Sequence, residues 1–295
     1  MRILLMLLMC AACMAAPAQQ VRVEQRQRVL PWLEEPAYRP VLNPTGDKLL
    51  FTDADASHLK LYDFTTGDVV TVSEEPGSGG DAFFEGDERV YYVTRRRDER
   101  NLVFRTGHCY DLKSKAGRVV LPPQHGAVHA VKAISGAGLK SDAGMYRAAA
   151  TSRAAVYTQD CEVVVLTGRT ERRFTPIAGS AGYLWPSLSP DGQRIAFVAA
   201  GHGIVIIDLN GKILAQLGNY EMPSWLNDDY VVAQHATDDG HQFTSSQIVL
   251  LKADGTWSTA LTSPSSMTMQ PTAANGRVVY TSIDGKLYRM DLNIE

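Results

Sequence analysis

Few side chains in this sequence are typed and spaced for chemistry. Gly77-Ser78-Gly79 is the nearest approach to an exposed serine nucleophile. It sits in a Glu/Gly/Pro-rich stretch without the strand-turn-helix context that a nucleophile elbow needs, so a linker between structural units is expected. Neither a P-loop nor a G-x-G-x-x-G after a strand is found. His125 and His129 stand four apart, a spacing that faces one metal on a helix. Pro122-Pro123 and Gly126 oppose a helix there, and no carboxylate follows at a suitable interval. Asp238-Asp239-Gly240-His241 lacks the remaining ligands of a calcium loop and reads as the hairpin tip of a long insertion, and Asp53-Ala54-Asp55 reads the same way. Arg95 to Arg100, with Asp98 and Glu99 inside it, is the densest charge run. It is expected in a long loop after a strand from Arg89 to Thr94, either as a solvated tip or as an anion or partner contact. Asp63, Asp111, Asp208 and Asp291 recur at the end of apolar runs and before turns, where a carboxylate bonds backbone N–H groups. No catalytic residue, metal site or cofactor is expected.

The 295-residue chain is 45% hydrophobic and 21% charged, with 29 basic and 32 acidic residues and a net charge of −3. That balance argues against a nucleic-acid or polyanion binder. Residues 1–18 read as a secretory signal peptide: Arg2, an apolar run from Ile3 to Ala12, and the Ala16-Pro17-Ala18 cleavage pattern. A lipid anchor at Cys13 fits less well, because the residues before it lack the usual apolar position. No other stretch is long and apolar enough to span a membrane. The mature chain, 19–295, is expected to be periplasmic or secreted, monomeric, and one domain. Its two remaining cysteines, Cys109 and Cys161, could pair or remain buried thiols.

A repeat organises the rest. Tyr62-Asp63-Phe64, Tyr110-Asp111-Leu112, Ile207-Asp208-Leu209 and Met290-Asp291-Leu292 each precede a turn, and Val165-Leu166 and Leu250-Leu251-Lys252 fill the gaps. The interval is roughly 40 to 55 residues, the range of propeller blades. Before each lies a second unit, sharpest as Pro186-Ser187-Leu188-Ser189-Pro190-Asp191-Gly192-Gln193-Arg194-Ile195-Ala196-Phe197-Val198. Pro40, Pro223 and Pro271 begin similar units, Phe83-Phe84 begins one without proline, and a sixth is barely legible near Ser141 to Ala149. Pro190 presets a turn, Gly192 accepts a positive φ, and an alternating strand follows. Asn210-Gly211 and Asp254-Gly255 then signal hairpins before a fourth strand. The expectation is an all-β, six-bladed β-propeller of four-stranded antiparallel blades, the last completed by an N-terminal strand within Gln20 to Leu30.

The Leu188 to Phe197 stretch resembles the PD40, or WD40-like, propeller repeat found in the C-terminal propeller of TolB and in prolyl-oligopeptidase-type peptidases. The resemblance covers about residues 20 to 295 and implies blade architecture more than activity. It departs from both families: about twenty mature residues precede Pro40, too few for the α/β domain that TolB carries there, and no G-x-S-x-G hydrolase motif is present.

In a propeller the loops entering the innermost strands crowd around the channel. Arg39, Trp185, Met222 and Gln270, each just before a repeat proline, and Asp81 in the blade lacking one, should therefore converge, with Tyr38, Tyr183 and Glu221 beside them. Such aromatic, thioether and guanidinium groups anchor interfaces, and the resemblance implies a protein partner at this face. Trp225 aligns with Leu42 and Leu188 and is expected in the core. The leading expectation is a non-catalytic exported propeller binding a protein or peptide. The alternatives are a metal-dependent propeller hydrolase or lactonase, and a glycan or cell-wall binding module.

Overall fold

The computed structural model describes residues 21–133, 137–141, 144–147, 154–168 and 170–294. The signal-peptide reading, with Cys13, falls outside them. Strand β1 (Val21–Arg28) comes first. The first blade is β2 (Tyr38–Leu42), β3 (Lys48–Thr52), β4 (Leu59–Asp63) and β5 (Val69–Ser73). The second is β6 (Phe83–Glu85), β7 (Arg89–Arg97), β8 (Val103–Asp111) and β9 (Ala116–Gln124). The third holds β10 (Val128–Ala133), a hairpin of β11 (Gly138–Ser141) and β12 (Gly144–Arg147), then β13 (Ala154–Gln159), β14 (Glu162–Thr167) and β15 (Thr170–Phe174). The fourth is β16 (Tyr183–Leu188), β17 (Arg194–Ala199), β18 (Gly203–Asp208) and β19 (Ile213–Gly218). The fifth is β20 (Glu221–Trp225), β21 (Tyr230–Asp238), β22 (Phe243–Lys252) and β23 (Ser258–Ala260). The sixth is β24 (Thr268–Ala274), β25 (Arg277–Ser282) and β26 (Leu287–Ile294). A short 3₁₀ turn, Pro264–Ser266, is the one helical element among the described residues.

Every pair of neighbouring strands within a blade is antiparallel, and β1 pairs along β26 from Val21–Ile294 to Arg28–Tyr288. The sixth blade thus takes its outer strand from the start of the chain, as expected. Second and third strands are apolar on both faces because each sheet packs between two others: Ile195, Ala196, Phe197 and Val198 are all buried, as are Ile204 to Ile207. Each seam has its own apolar cluster. Leu50 and Leu61 meet Val90 and Tyr92, Val156 and Val165 meet Ile195 and Phe197, and Val279 and Leu287 meet Leu49 and Phe51 across the closure. Trp225 is core, as expected, and its Nε1 donates to the Ser187 carbonyl of the preceding blade at 3.0 Å.

The recurrent aspartates are turn-formers. Asp63 accepts the Thr65 N–H, Asp111 those of Lys113 and Ser114, and Asp208 those of Asn210 and Lys212. Asp291 departs from the expectation: β26 runs on through it to meet β1, and its carboxylate pairs with Arg277 and Arg289 instead. Arg95, Arg96 and Arg97 are also not in a loop. They extend β7, and the turn is confined to residues 98–102, where Asp98 accepts the N–H groups of Arg100 and Leu102. In the third blade the first strand is β10, earlier than the Ser141 to Ala149 unit expected from the repeat. The β11–β12 hairpin intervenes in sequence but pairs along the other side of β10, which meets β13 directly, and part of that stretch falls outside the described residues. Gly77 to Gly79 link blades as expected, with Ser78 buried and its hydroxyl on the Ser57 carbonyl. Cys109 is buried and Cys161 exposed, and both are free thiols.

Two outcomes are expected. Deleting residues 21–28 exposes the full edge of β26; light scattering should report self-association and thermal melts a fall in stability. Unchanged monomeric behaviour would contradict closure by β1. On the third blade, Glu171 accepts from Lys140 at 2.8 Å and pairs with Arg173, which hold its pKa near about 2, below the ordinary 4.5. Stability from this carboxylate is present above pH 4.5 and lost as pH falls towards 2, so Glu171→Gln should flatten the acid limb of a stability–pH curve in that window.

Candidate functional site: the channel mouth

Except in the third blade, where β11 pairs along β10, the first strand of each blade has one edge facing the propeller axis with no further strand on it. Proline tolerates such an edge because it has no N–H to leave unpaired. Pro40, Pro186, Pro223 and Pro271 sit there, each inside a one-residue bulge. Three steps from Tyr38 to Val41 face two from Thr52 to Leu50, and the same slip recurs in β16, β20 and β24. The residue before each proline is forced left-handed: Arg39 at φ 52°, Trp185 at 51°, Met222 at 53° and Gln270 at 53°. A non-glycine residue held there costs on the order of 1 kcal/mol. Four such positions in register show that the fold repeats this geometry as part of the blade.

Neighbouring blades supply the partners that the open edges lack. Gln234 Oε1 accepts the Gln270 N–H at 2.9 Å, and Gln270 Oε1 accepts the Arg39 N–H at 2.8 Å. One strand step deeper, the Ser224 hydroxyl accepts the Ala273 N–H and the Thr272 hydroxyl accepts the Leu42 N–H. These bonds run from the fifth blade through the sixth to the first and fix the orientation of the left-handed residues.

The result is an axial cavity of about 850 Å³. Arg39, Asp81, Trp185, Met222 and Gln270 all line it, so the five residues picked from the repeat converge from five blades. The third blade contributes Ala130 and Lys132 from β10. Lys132 was not foreseen, because the repeat fades in that blade; a lone lysine in the alternating Val128–Ala133 run was the available signal. Tyr38, Tyr183 and Glu221 do not line the cavity. Tyr183 is buried and its hydroxyl bonds with Ile177, while Glu221 is exposed and stands opposite Gln234. The wall continues to Asn43, Asn227, Asp228 and Asn275 at the far end. A smaller cavity of about 480 Å³, at the seam of the third and fourth blades, contains none of the mouth residues.

Charge is uneven along this channel. Asp81 is 3.3 Å from Arg95. Arg39 donates to the Gly80 carbonyl at 3.1 Å. Lys132 is open to channel water but ringed by protein; that desolvation pushes its pKa down from the ordinary lysine value, and the Asp81 carboxylate pulls partly back. Among the described residues no three His, Cys, Asp or Glu side chains come together as metal ligands. His125 packs against the Phe104 ring and His129 lies 6.1 Å from that of Tyr157. Asp238 to His241 form a hairpin tip closed by their own carboxylates.

No protein-family model matches the chain, and no curated protein matches its sequence. Solved structures share its fold. TolB from Acinetobacter baumannii is 16% identical with a TM-score of 0.50, over 87% of this chain and 54% of that one. A putative TolB from Agrobacterium tumefaciens is 15% identical with a TM-score of 0.53, over 89% and 91%. An oligogalacturonate lyase from Vibrio parahaemolyticus is 13% identical with a TM-score of 0.57, over 92% and 96%. The chain therefore spans about half the length of the Acinetobacter protein. The class this defines is a TolB-like six-bladed β-propeller, and at these identities the likeness is one of fold.

The left-handed positions make a measurable claim. Met222→Gly should be more stable than Met222→Ala by about 1 kcal/mol in urea melts, since glycine relieves the strain and both lose the side chain. Equal or reversed stabilities would remove the strain argument.

Proposed function

We propose that this chain is a non-catalytic binding propeller, exported by its leader, that receives a protein or peptide on the channel-mouth face. The observation carrying this is where apolar surface is left uncovered. First strands begin and second strands end at the mouth, so the loops before first strands and the turns between second and third strands share that face. Among the described residues ten large hydrophobic side chains are exposed. Trp32, Leu102, Leu184, Trp185, Phe243 and Ile283 belong to those loops, turns and strand ends, and Val23, Val119, Ile213 and Leu214 lie on outermost strands. Trp32 at 62% and Ile283 at 56% exposure are far outside core packing. Apolar groups gathered on one face around a concave centre are how partner surfaces differ from ordinary surface. Met222 supplies an adaptable thioether beside Trp185.

The fold neighbours include TolB proteins and an oligogalacturonate lyase, so the reading rests on the mouth surface and not on their names. The Ser, His and Asp groups that the sequence offers for chemistry are engaged in turns, seams and ring contacts, and none of them lines the channel cavity. Among the residues lining the cavity at the mouth, Asp81 is the one carboxylate, and Arg95 neutralises it.

The test is retention of a partner from cell-envelope extract by immobilised protein. Trp185→Ala with Ile283→Ala should cut retention at least tenfold with melting unchanged, while Leu214→Ala, an exposed apolar change on an outer strand, should not. Equal loss in both, or in neither, would end the assignment to this face.

A further inference from the structure

Two cations in the wall of the channel mouth lack a carboxylate partner. Arg39 and Lys132 line the same cavity from the first and third blades, with the second between them. Among the described residues neither has a carboxylate within ion-pair distance. Asp81, from that intervening blade, is shared with Arg95, so three cations gather about one anion. The other carboxylate in the wall, Asp228, is at the opposite end, where it accepts the Asp191 N–H at 2.8 Å. Two cations that face one cavity without a counterion repel each other, and a hydrogen-bonded carboxylate between them offsets that repulsion.

We propose that the channel mouth is a carboxylate site, in which an acidic side chain of the bound polypeptide is held by the Arg39 guanidinium and the Lys132 ammonium while Trp185 and Met222 pack against its neighbouring residues. This rests on the reading that a polypeptide binds this face, and it names the chemistry of the segment that enters the channel. Two features make the site specific. Arg39 is preset, since its left-handed backbone is held by Gln270, which is itself held by Gln234. Lys132 lines the same cavity from the third blade, so its charge and that of Arg39 add within one space. The exposed arginines of β7 act differently: Arg96 is already bidentate on Glu75, and Arg97 on Asn101.

The inference is tested by selecting binders from a random hexapeptide library with blocked termini on the folded full chain. The selected peptides should share Asp or Glu at one fixed position. Replacing that acid with its amide should weaken binding at least tenfold, as should Lys132→Met or Arg39→Gln in the protein, and affinity should fall as salt rises. Circular dichroism and melting of both variants, which change channel-facing side chains, report folding. Should either fail to fold, the acid-to-amide comparison on the wild-type chain still decides. Peptides without a fixed acidic position, or binding indifferent to the amide change, would overturn the carboxylate site. If such peptides still lost binding in Trp185→Ala, the polypeptide-binding face would stand. A selection yielding no binder would overturn that face and the carboxylate site together.

Discussion

The structure depends on sheets packing face to face around a closed circle. Every blade must be apolar on both faces of its middle strands, because each face is an interface with a neighbour. That requirement explains the near-continuous hydrophobic runs of β17 and β18, which would read as fully buried strands in any architecture. Outer edges face solvent in every blade, β1 supplying the outer strand of the last one, whereas inner edges around the axis, except in the third blade, have neither a further strand nor free water. Those inner edges are met by proline, by bulges and by side chains of the preceding blade, and that solution builds the site.

The site and the repeat are therefore the same feature seen at two scales. A proline suits an inner edge, the bulge around it adds one residue, and the added residue is turned left-handed at the mouth. Evolution can vary that residue with little penalty to the core, since Arg39, Trp185, Met222 and Gln270 share a backbone and nothing else. Function on such a ring is set by six largely independent choices of side chain. Gln270 shows the limit of that independence: its carboxamide both lines the cavity and holds the Arg39 backbone, so it cannot change without loosening its neighbour.

Legibility in the sequence followed the strength of local turn chemistry. Pro190-Asp191-Gly192 and Asn210-Gly211 announce their turns by residue type, so the fourth blade and, by alignment, most of the others could be read. Five of the mouth residues came from that alignment alone. The third blade could not be read because its first strand lacks proline and an inserted hairpin separates it in sequence from its second strand, which hid Lys132. The bulge itself was invisible, so Tyr38, Tyr183 and Glu221 were grouped with the mouth. Strict alternation cannot show that one extra residue turns Trp185 into the channel and Tyr183 into the core. The arginine run was misassigned to a loop because charge suggests solvent, whereas a projecting hairpin can keep charged residues in strand pairing beyond the ring.

That last point bears on how a partner would meet the mouth. The β7–β8 and β21–β22 hairpins are the long second-to-third connections, and they belong to blades two and five, opposite one another on a six-membered ring. One carries arginines already tied to Glu75 and Asn101; the other carries Phe243 and a tip closed by its own aspartates. Both are ordered by internal bonds before anything binds, so little conformational entropy remains to be lost there on association. Under the proposed function, a rim pre-ordered on two sides, apolar between, with Arg39 and Lys132 at its centre would select for a ligand rigid or extended enough to reach the axis past both hairpins. The geometry favours insertion of a segment over contact between two flat surfaces.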